Sequence, residues 1–382
     1  MIHRRTSIAF LAAAAALASA GLAHAQAPGI KVGITISATG PAASLGTAQK
    51  NTVDLLPRTL GGLPVTYVLL DDATDPTQAA KNARRFVESE NVDVIIGSST
   101  TPTSLAVAEV AHEAKVPQIG LAPYTAKQVQ WTFSLPQTYS LMYSALFKEL
   151  KKRNAKTIAY IGFSDALGDA ALKEVERLAA ETGIRLVASE RYARTDQSVT
   201  AQALKIVQSQ ADAVVFGASG TAAALPMRAL RQRGYKGGLF QNHGVANNDF
   251  LRVVGDAGEG MVSPTGLVLV AEQLPDSHPS KVVALNYLKA YEDKHGAGSR
   301  NPFGAYAQDA YLLLDAAVRK VGGKAAPGTP AFRGAVRDAL EATRDVPVTH
   351  GVSTMSATDH SGLGEGAVAL ITIEKGTWKL LK

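Results

Sequence analysis

The chain has 382 residues, 39 Lys and Arg against 33 Asp and Glu, a formal charge of +6 and no cysteine. The missing cysteine excludes disulfides, thiol chemistry and thiolate-ligated metals. Lys151-Lys152-Arg153 is the one dense basic run, which is not the basic, aromatic-studded stripe that nucleic acid requires.

In chain order, Met1-Ile2-His3-Arg4-Arg5 is a short positive stretch and residues 7–21 form an apolar run rich in alanine. Ala23-His24-Ala25 then has the small-x-small pattern that a signal peptidase cuts after. The run is too short and too alanine-rich to span a bilayer, and no stop-transfer pattern follows. The expectation is an exported chain that loses residues 1–25 and begins near Gln26. Arg4 and Arg5 leave with the leader, so the mature charge is about +4. Such a mild positive balance leans toward an anionic small ligand. The mature length exceeds what one hydrophobic core fills, so two domains are expected.

Strands with near-continuous apolar character are predicted over 30–34, 65–70, 92–97 and from 116, separated by helical stretches over 48–56, 76–88 and 105–115. The rhythm restarts with strands over 157–161, 185–188 and 213–216 and helices over 168–182, 199–209 and 222–233. This alternation predicts α/β architecture with two doubly wound parallel sheets covered on both faces. Beyond Met261, a strand is expected over 267–271, helices over 280–295, 302–321 and 329–341, and strand-like sequence over 364–381.

Ligands of open α/β sheets sit beyond the carboxyl ends of the strands, against backbone N–H groups at helix N-termini. The loop over 39–46 is glycine-punctuated without the dinucleotide fingerprint. Four consecutive hydroxyl residues, Ser98, Ser99, Thr100 and Thr101, end another strand; an N-cap needs one or two of them, which leaves a surplus of donors. Leu121-Ala122-Pro123-Tyr124-Thr125 offers backbone amides, a hydroxyl and a ring. The second half contributes residues 163–167, residues 218–221 and Asn242-His243-Gly244, with His243 read as a pocket donor. Enzymatic alternatives are weak. No serine sits in a G-x-S-x-G elbow and no histidines have H-E-x-x-H spacing. The acidic run from Asp71 to Asp75 lacks the further oxygen ligands of a calcium loop. No metal, cofactor or catalytic residue is expected.

These residues together resemble a family. Lys31-Val32-Gly33-Ile34 with Thr39-Gly40-Pro41, Asp93-Val94-Ile95-Ile96-Gly97, Val116-Pro117, Trp131-Thr132-Phe133, Asp165 with Gly168, and Gly351-Val352-Ser353 are similar in order and spacing to the Leu/Ile/Val-binding proteins of ABC importers, the type I periplasmic binding proteins. The resemblance covers residues 28–382. It implies two Rossmann-like lobes joined by three hinge crossings, with residues 28–136 and 267–347 in lobe 1 and residues 137–266 and 348–382 in lobe 2. It further implies ligand enclosed between the lobes, an inner-membrane ABC permease as partner, and a monomer free in the periplasm. No membrane-embedded segment and no nucleic-acid partner are implied.

Carried over by residue, the carboxylate-binding hydroxyl falls at Thr101 beside Ser99 and Thr100. The backbone grip falls at Ala122 and Pro123, and the loop threonine at Tyr124. The acidic residue that pairs an amino acid's ammonium is His243 here, and an unpaired buried ammonium is costly. Aromatic positions of the family pocket are replaced by Leu45 and by Ser219-Gly220, and Leu167 completes the set. These departures lead to the expectation of a small organic acid, best an aromatic carboxylate. The alternatives are an amino acid, a small aliphatic carboxylate or an amide, or sensing on behalf of a receptor with the same fold.

Overall fold

The computed structural model describes residues 29–381, so the expected leader lies outside the described residues. The first half folds as β1 (Ile30–Ile36), α1 (Ala43–Val53), β2 (Thr59–Leu60), β3 (Leu63–Asp71), α2 (Pro76–Glu88), β4 (Val94–Ile96), α3 (Thr101–Ala114), β5 (Gln118–Gly120) and β6 (Thr132–Ser134). Its sheet has the order β2-β3-β1-β4-β5-β6, parallel except for the β2–β3 pair. β1 is buried at every position but Lys31 because helices cover both faces of the sheet.

The pattern repeats in α4 (Tyr139–Lys152), β7 (Thr157–Phe163), α5 (Ala166–Thr182), β8 (Arg185–Tyr192), α6 (Thr200–Gln208), β9 (Ala213–Gly217), α7 (Ala224–Gln232), β10 (Gly238–Gln241), α8 (Asn248–Val254) and β11 (Val262–Thr265). There follow α9 (Pro279–His295), α10 (Pro302–Val321), α11 (Pro330–Glu341), a small hairpin of β12 (Val346–Val348) and β13 (Gly351–Ser353), and the strands β14 (Ala369–Glu374) and β15 (Thr377–Leu380). The second sheet runs β15-β14-β11-β10-β9-β7-β8, its last two strands antiparallel. The fold is thus two α/β lobes, each a doubly wound sheet that is mostly parallel.

Two differences from the sequence reading concern the late elements. Residues 267–273 form two short 3₁₀ turns kinked at Val270, not a strand; a short continuous apolar run carries no period that separates the two. Residues 348–367 contribute Val348, Met355, Leu363 and Ala367 to the core that also holds Ile34 and Phe303, on the side of the first sheet. Only β14 and β15 join the second sheet.

Both sheets place their second parallel strand outside the first and the rest on its other side, β3-β1-β4 in one and β8-β7-β9 in the other. The crevice at such a reversal lies at the carboxyl ends of the strands. The two crevices face each other across the gap between lobes.

Candidate functional site

Six strand ends and two helices enclose a cavity of about 20 Å³. Leu45 comes from the segment after β1, Ser99, Thr100 and Thr101 from that after β4, and Leu121, Ala122 and Pro123 from that after β5. The second lobe supplies Leu167 after β7, Ser219 after β9, and Asn242, His243 and Gly244 after β10. Tyr139 of α4 and Phe303 of α10 complete the wall. A groove of about 870 Å³ lies elsewhere, among Asn248, Arg300 and Trp378, and shares no lining residue with this cavity.

The hydroxyl cluster is committed to partners within the protein. Ser98 donates to buried Asp72 at 2.5 Å, and Ser99 donates to Gln49 Oε1 at 2.5 Å while accepting from Ser37 N–H. Thr100 caps α3 in a reciprocal box with Thr103. Thr101 Oγ1 donates to the Pro123 carbonyl at 2.8 Å, so the 2.7 Å contact with Tyr139 must be donated by the tyrosine. The hydrogens of these side chains are therefore spent, and the expected surplus of donors does not exist. What remains is acceptor lone pairs, together with the N-terminal turn of α3. The acidic run is likewise structural: Asp71 and Asp72 accept from the loops around them and Asp75 caps α2. Burial raises the Asp72 carboxyl, against four hydrogen bonds that lower it.

On the second lobe, Asp165 caps α5 through Leu167 and Gly168 N–H and pairs with Arg194 at 2.6 Å. Arg194 lies over the Phe163 ring and donates to Ser219 Oγ at 3.1 Å, which leaves the Ser219 hydroxyl hydrogen available as a donor. His243 Nδ1 lies 3.1 Å from the Tyr306 hydroxyl, a contact from the second sheet to α10. Tyr306 donates to Gln137 Oε1 at 2.8 Å, and Gln137 Nε2 donates to the Ala367 carbonyl at 2.8 Å. Tyr306 also stacks on His350 at 3.8 Å, and His350 packs against Gly266 so closely that a Cβ there would sit 2.0 Å from the ring.

Nine of the eleven residues expected at the site line the cavity. Tyr124 does not: its ring lies on Gly120, its hydroxyl donates to the Phe133 carbonyl at 3.3 Å, and it packs with Ala108 and Ala126. Gly220 does not either; it sits at the rim, where its φ of +65° and the nearness of Pro41 and Ser44 across the cleft favour glycine. Leu121, Asn242 and Gly244 stood in the candidate loops without being singled out, and the reading missed Tyr139 and Phe303. Asn242 and Gly244 flank His243 and were legible, whereas Phe303 lies in a helix whose place in the fold no local pattern states.

Residues 29–377 match the model of the family described as periplasmic binding protein. An extracellular ligand-binding receptor from Rhodopseudomonas palustris HaA2 is 42% identical with a TM-score of 0.91, over 93% of this chain and 100% of that one. The leucine-, isoleucine-, valine-, threonine- and alanine-binding protein of Pseudomonas aeruginosa is 26% identical over 317 residues, 78% of this chain and 80% of the relative. The Leu/Ile/Val-binding protein BraC3 of Rhizobium johnstonii is 26% identical over 357 residues, 90% of this chain and 91% of the relative.

These relatives overturn the expectation of an aromatic carboxylate, because the ligands in their names are small aliphatic amino acids. Two features of the cavity explain the error. Phe303 and Leu121 join Leu45 and Ser219 in the wall of a cavity of only about 20 Å³, which offers no extra width. Furthermore, the first-lobe hydroxyls, read as donors for an anion, have spent their hydrogens.

Proposed function

We propose that this chain, which belongs to the periplasmic binding protein family, captures a branched-chain amino acid between its lobes for an ABC importer. The family binds and releases solutes without turnover, and it places the chain outside the cytoplasm, in the periplasmic or extracellular space. Among the described residues no helix is long and apolar enough to cross a membrane. The observation that carries the reading is the cavity itself: strand ends from both sheets converge on it, with Leu45, Leu121, Leu167 and Phe303 as an aliphatic and aromatic wall. In this reading the wall takes the ligand side chain, and the α3 N-terminal turn with the backbone near Ala122 takes the carboxylate.

The cavity is far below the ~300 Å³ at which small-molecule sites begin. Ligand therefore enters only when the lobes part. We place the hinge where three connections meet, near Gln137, Gly266 and Ala367, and the closed face of the two lobes is then what a permease recognises. Calorimetry and thermal unfolding with L-leucine, L-isoleucine and L-valine test the reading. Saturation at 100 times Kd stabilises the folded form by about 2.7 kcal/mol. Absence of any shift with all three amino acids ends the proposal.

A further inference from the structure

We infer that His243 meets the ligand as a neutral hydrogen-bond acceptor, its bare Nε2 turned to the ligand because Tyr306, Gln137 and the Ala367 carbonyl fix the ring proton on Nδ1. The inference deepens the amino-acid reading above and rests on it in taking the ligand's donor to be an ammonium.

The proton positions follow from which atoms can only accept. The Ala367 carbonyl accepts, so the group 2.8 Å from it is the Gln137 amide NH₂, and Oε1 faces the other way. Oε1 can only accept, so Tyr306 gives it its single hydroxyl hydrogen at 2.8 Å. Tyr306 then has only lone pairs to offer, and the 3.1 Å contact from His243 must carry a hydrogen on Nδ1. A neutral imidazole with Nδ1 protonated has an unprotonated Nε2. Burial keeps the ring neutral, with the nearby His350 adding to the effect. No hydrogen bond to Nε2 is formed among the described residues, and His243 lines the cavity.

Two other polar groups of the wall, Tyr139 and Thr101, point the same way, while Ser219 keeps its hydroxyl hydrogen as a donor. Tyr139 gives its hydrogen to Thr101 and Thr101 gives its own to Pro123, so both wall residues have only lone pairs left to offer. The site thus offers an ammonium several neutral acceptors in place of a countercharge. Such a site distinguishes a donor from no donor more sharply than a cation from a neutral group. It also acts only in the closed form, since Tyr306 sits on α10 and His243 follows β10 of the second sheet.

Two measurements on the mature protein test this. The tautomer is read from long-range ¹H–¹⁵N correlations of ¹⁵N-histidine-labelled protein, ligand-free and with saturating L-leucine, with His243 assigned by loss of its signals in His243→Gln. An Nδ1–H ring in either spectrum, lost in Tyr306→Phe, supports the assignment; Nε2–H or an imidazolium in both overturns it. Calorimetry then compares L-leucine with its 2-hydroxy and 2-oxo analogues. The hydroxy acid, which keeps a donor, should bind within about tenfold of leucine, and the oxo acid should bind about 100-fold or more weaker. Equal binding of the oxo acid overturns the inference. If leucine does not bind while the ring is Nδ1–H, the amino-acid reading fails and the acceptor assignment stands.

Discussion

Burial beside Phe303 and Tyr306, and secondarily the neighbouring His350, holds the His243 imidazole at about 3, against 6.5 for the free group. A histidine depressed in this way favours the folded, closed form while neutral. Its contribution is complete above about pH 6.5 and is lost as pH falls toward 3, because the open or unfolded chain binds the proton first. At pH 5 the loss amounts to about 2 kcal/mol. Denaturant unfolding at pH 7 and pH 5 should show this component in the natural chain and not in His243→Gln; equal pH dependence of the two would contradict it. Thr101 provides a second case. Thr101→Val strands the Tyr139 hydroxyl and the Pro123 carbonyl, which Thr101 now satisfies at 2.7 and 2.8 Å. Unfolding stability should drop by about 1–3 kcal/mol even without ligand, as urea titration would show. A hydroxyl that served only to contact ligand would leave the ligand-free midpoint unmoved. The sequence located Thr101 and His243 through strand ends and glycines. It could not show who accepts from whom, because Tyr139, Pro123 and Tyr306 come from other parts of the chain.

Helix N-termini deliver the site's backbone groups, and α5 shows how closely they are fitted. Its Gly168 lies against the end of β7, where a Cβ would fall 1.9 Å from the Phe163 carbonyl oxygen. Tyr160 reaches the same turn and donates to the Gly168 carbonyl at 2.8 Å. Gly168→Ala must push the helix start outward and carry Leu167 with it, costing about 1–3 kcal/mol as overpacking does. Urea unfolding should register that loss, and calorimetry a weaker leucine affinity; an unchanged midpoint would mean the turn relaxes freely. Elements of this kind were legible wherever period and length agreed, as in the βα alternation of both halves. They were less legible where the chain crosses between lobes. The run from Leu267 to Ala271 is too short to show a period, and it follows Gly266, which packs closely on His350. Residues 348–367 belong with the first core through Met355 and Leu363, single contacts that no repeating pattern announces.

At the scale of the whole molecule, three connections between lobes meet around one buried polar chain. Gln137 lies on the first, Ala367 on the third, and Gly266 of the second packs within 3.0 Å of Gln137 Nε2 if a Cβ is placed there. Tyr306 links this junction to His243 in the cavity wall. In the proposed function, closure over a ligand and geometry at the hinge would then be one coupled arrangement, a two-state element of the kind that hinge proteins use. Gln137→Leu removes both ends of the link, leaving the Ala367 carbonyl without a donor and the Tyr306 hydroxyl hydrogen without an acceptor in the closed form, while the contact from His243 Nδ1 remains. A coupling of about 1–3 kcal/mol corresponds to roughly 5- to 150-fold in affinity, so leucine should bind the variant weaker by a factor in that range. Small-angle scattering of the natural chain should show the radius of gyration falling when L-leucine is added. The variant should need proportionately more leucine for the same change. If scattering is unaltered by leucine that calorimetry shows to be bound, the lobes do not close on it. If Gln137→Leu binds and closes as the natural chain does, the polar chain is not what connects hinge to cleft.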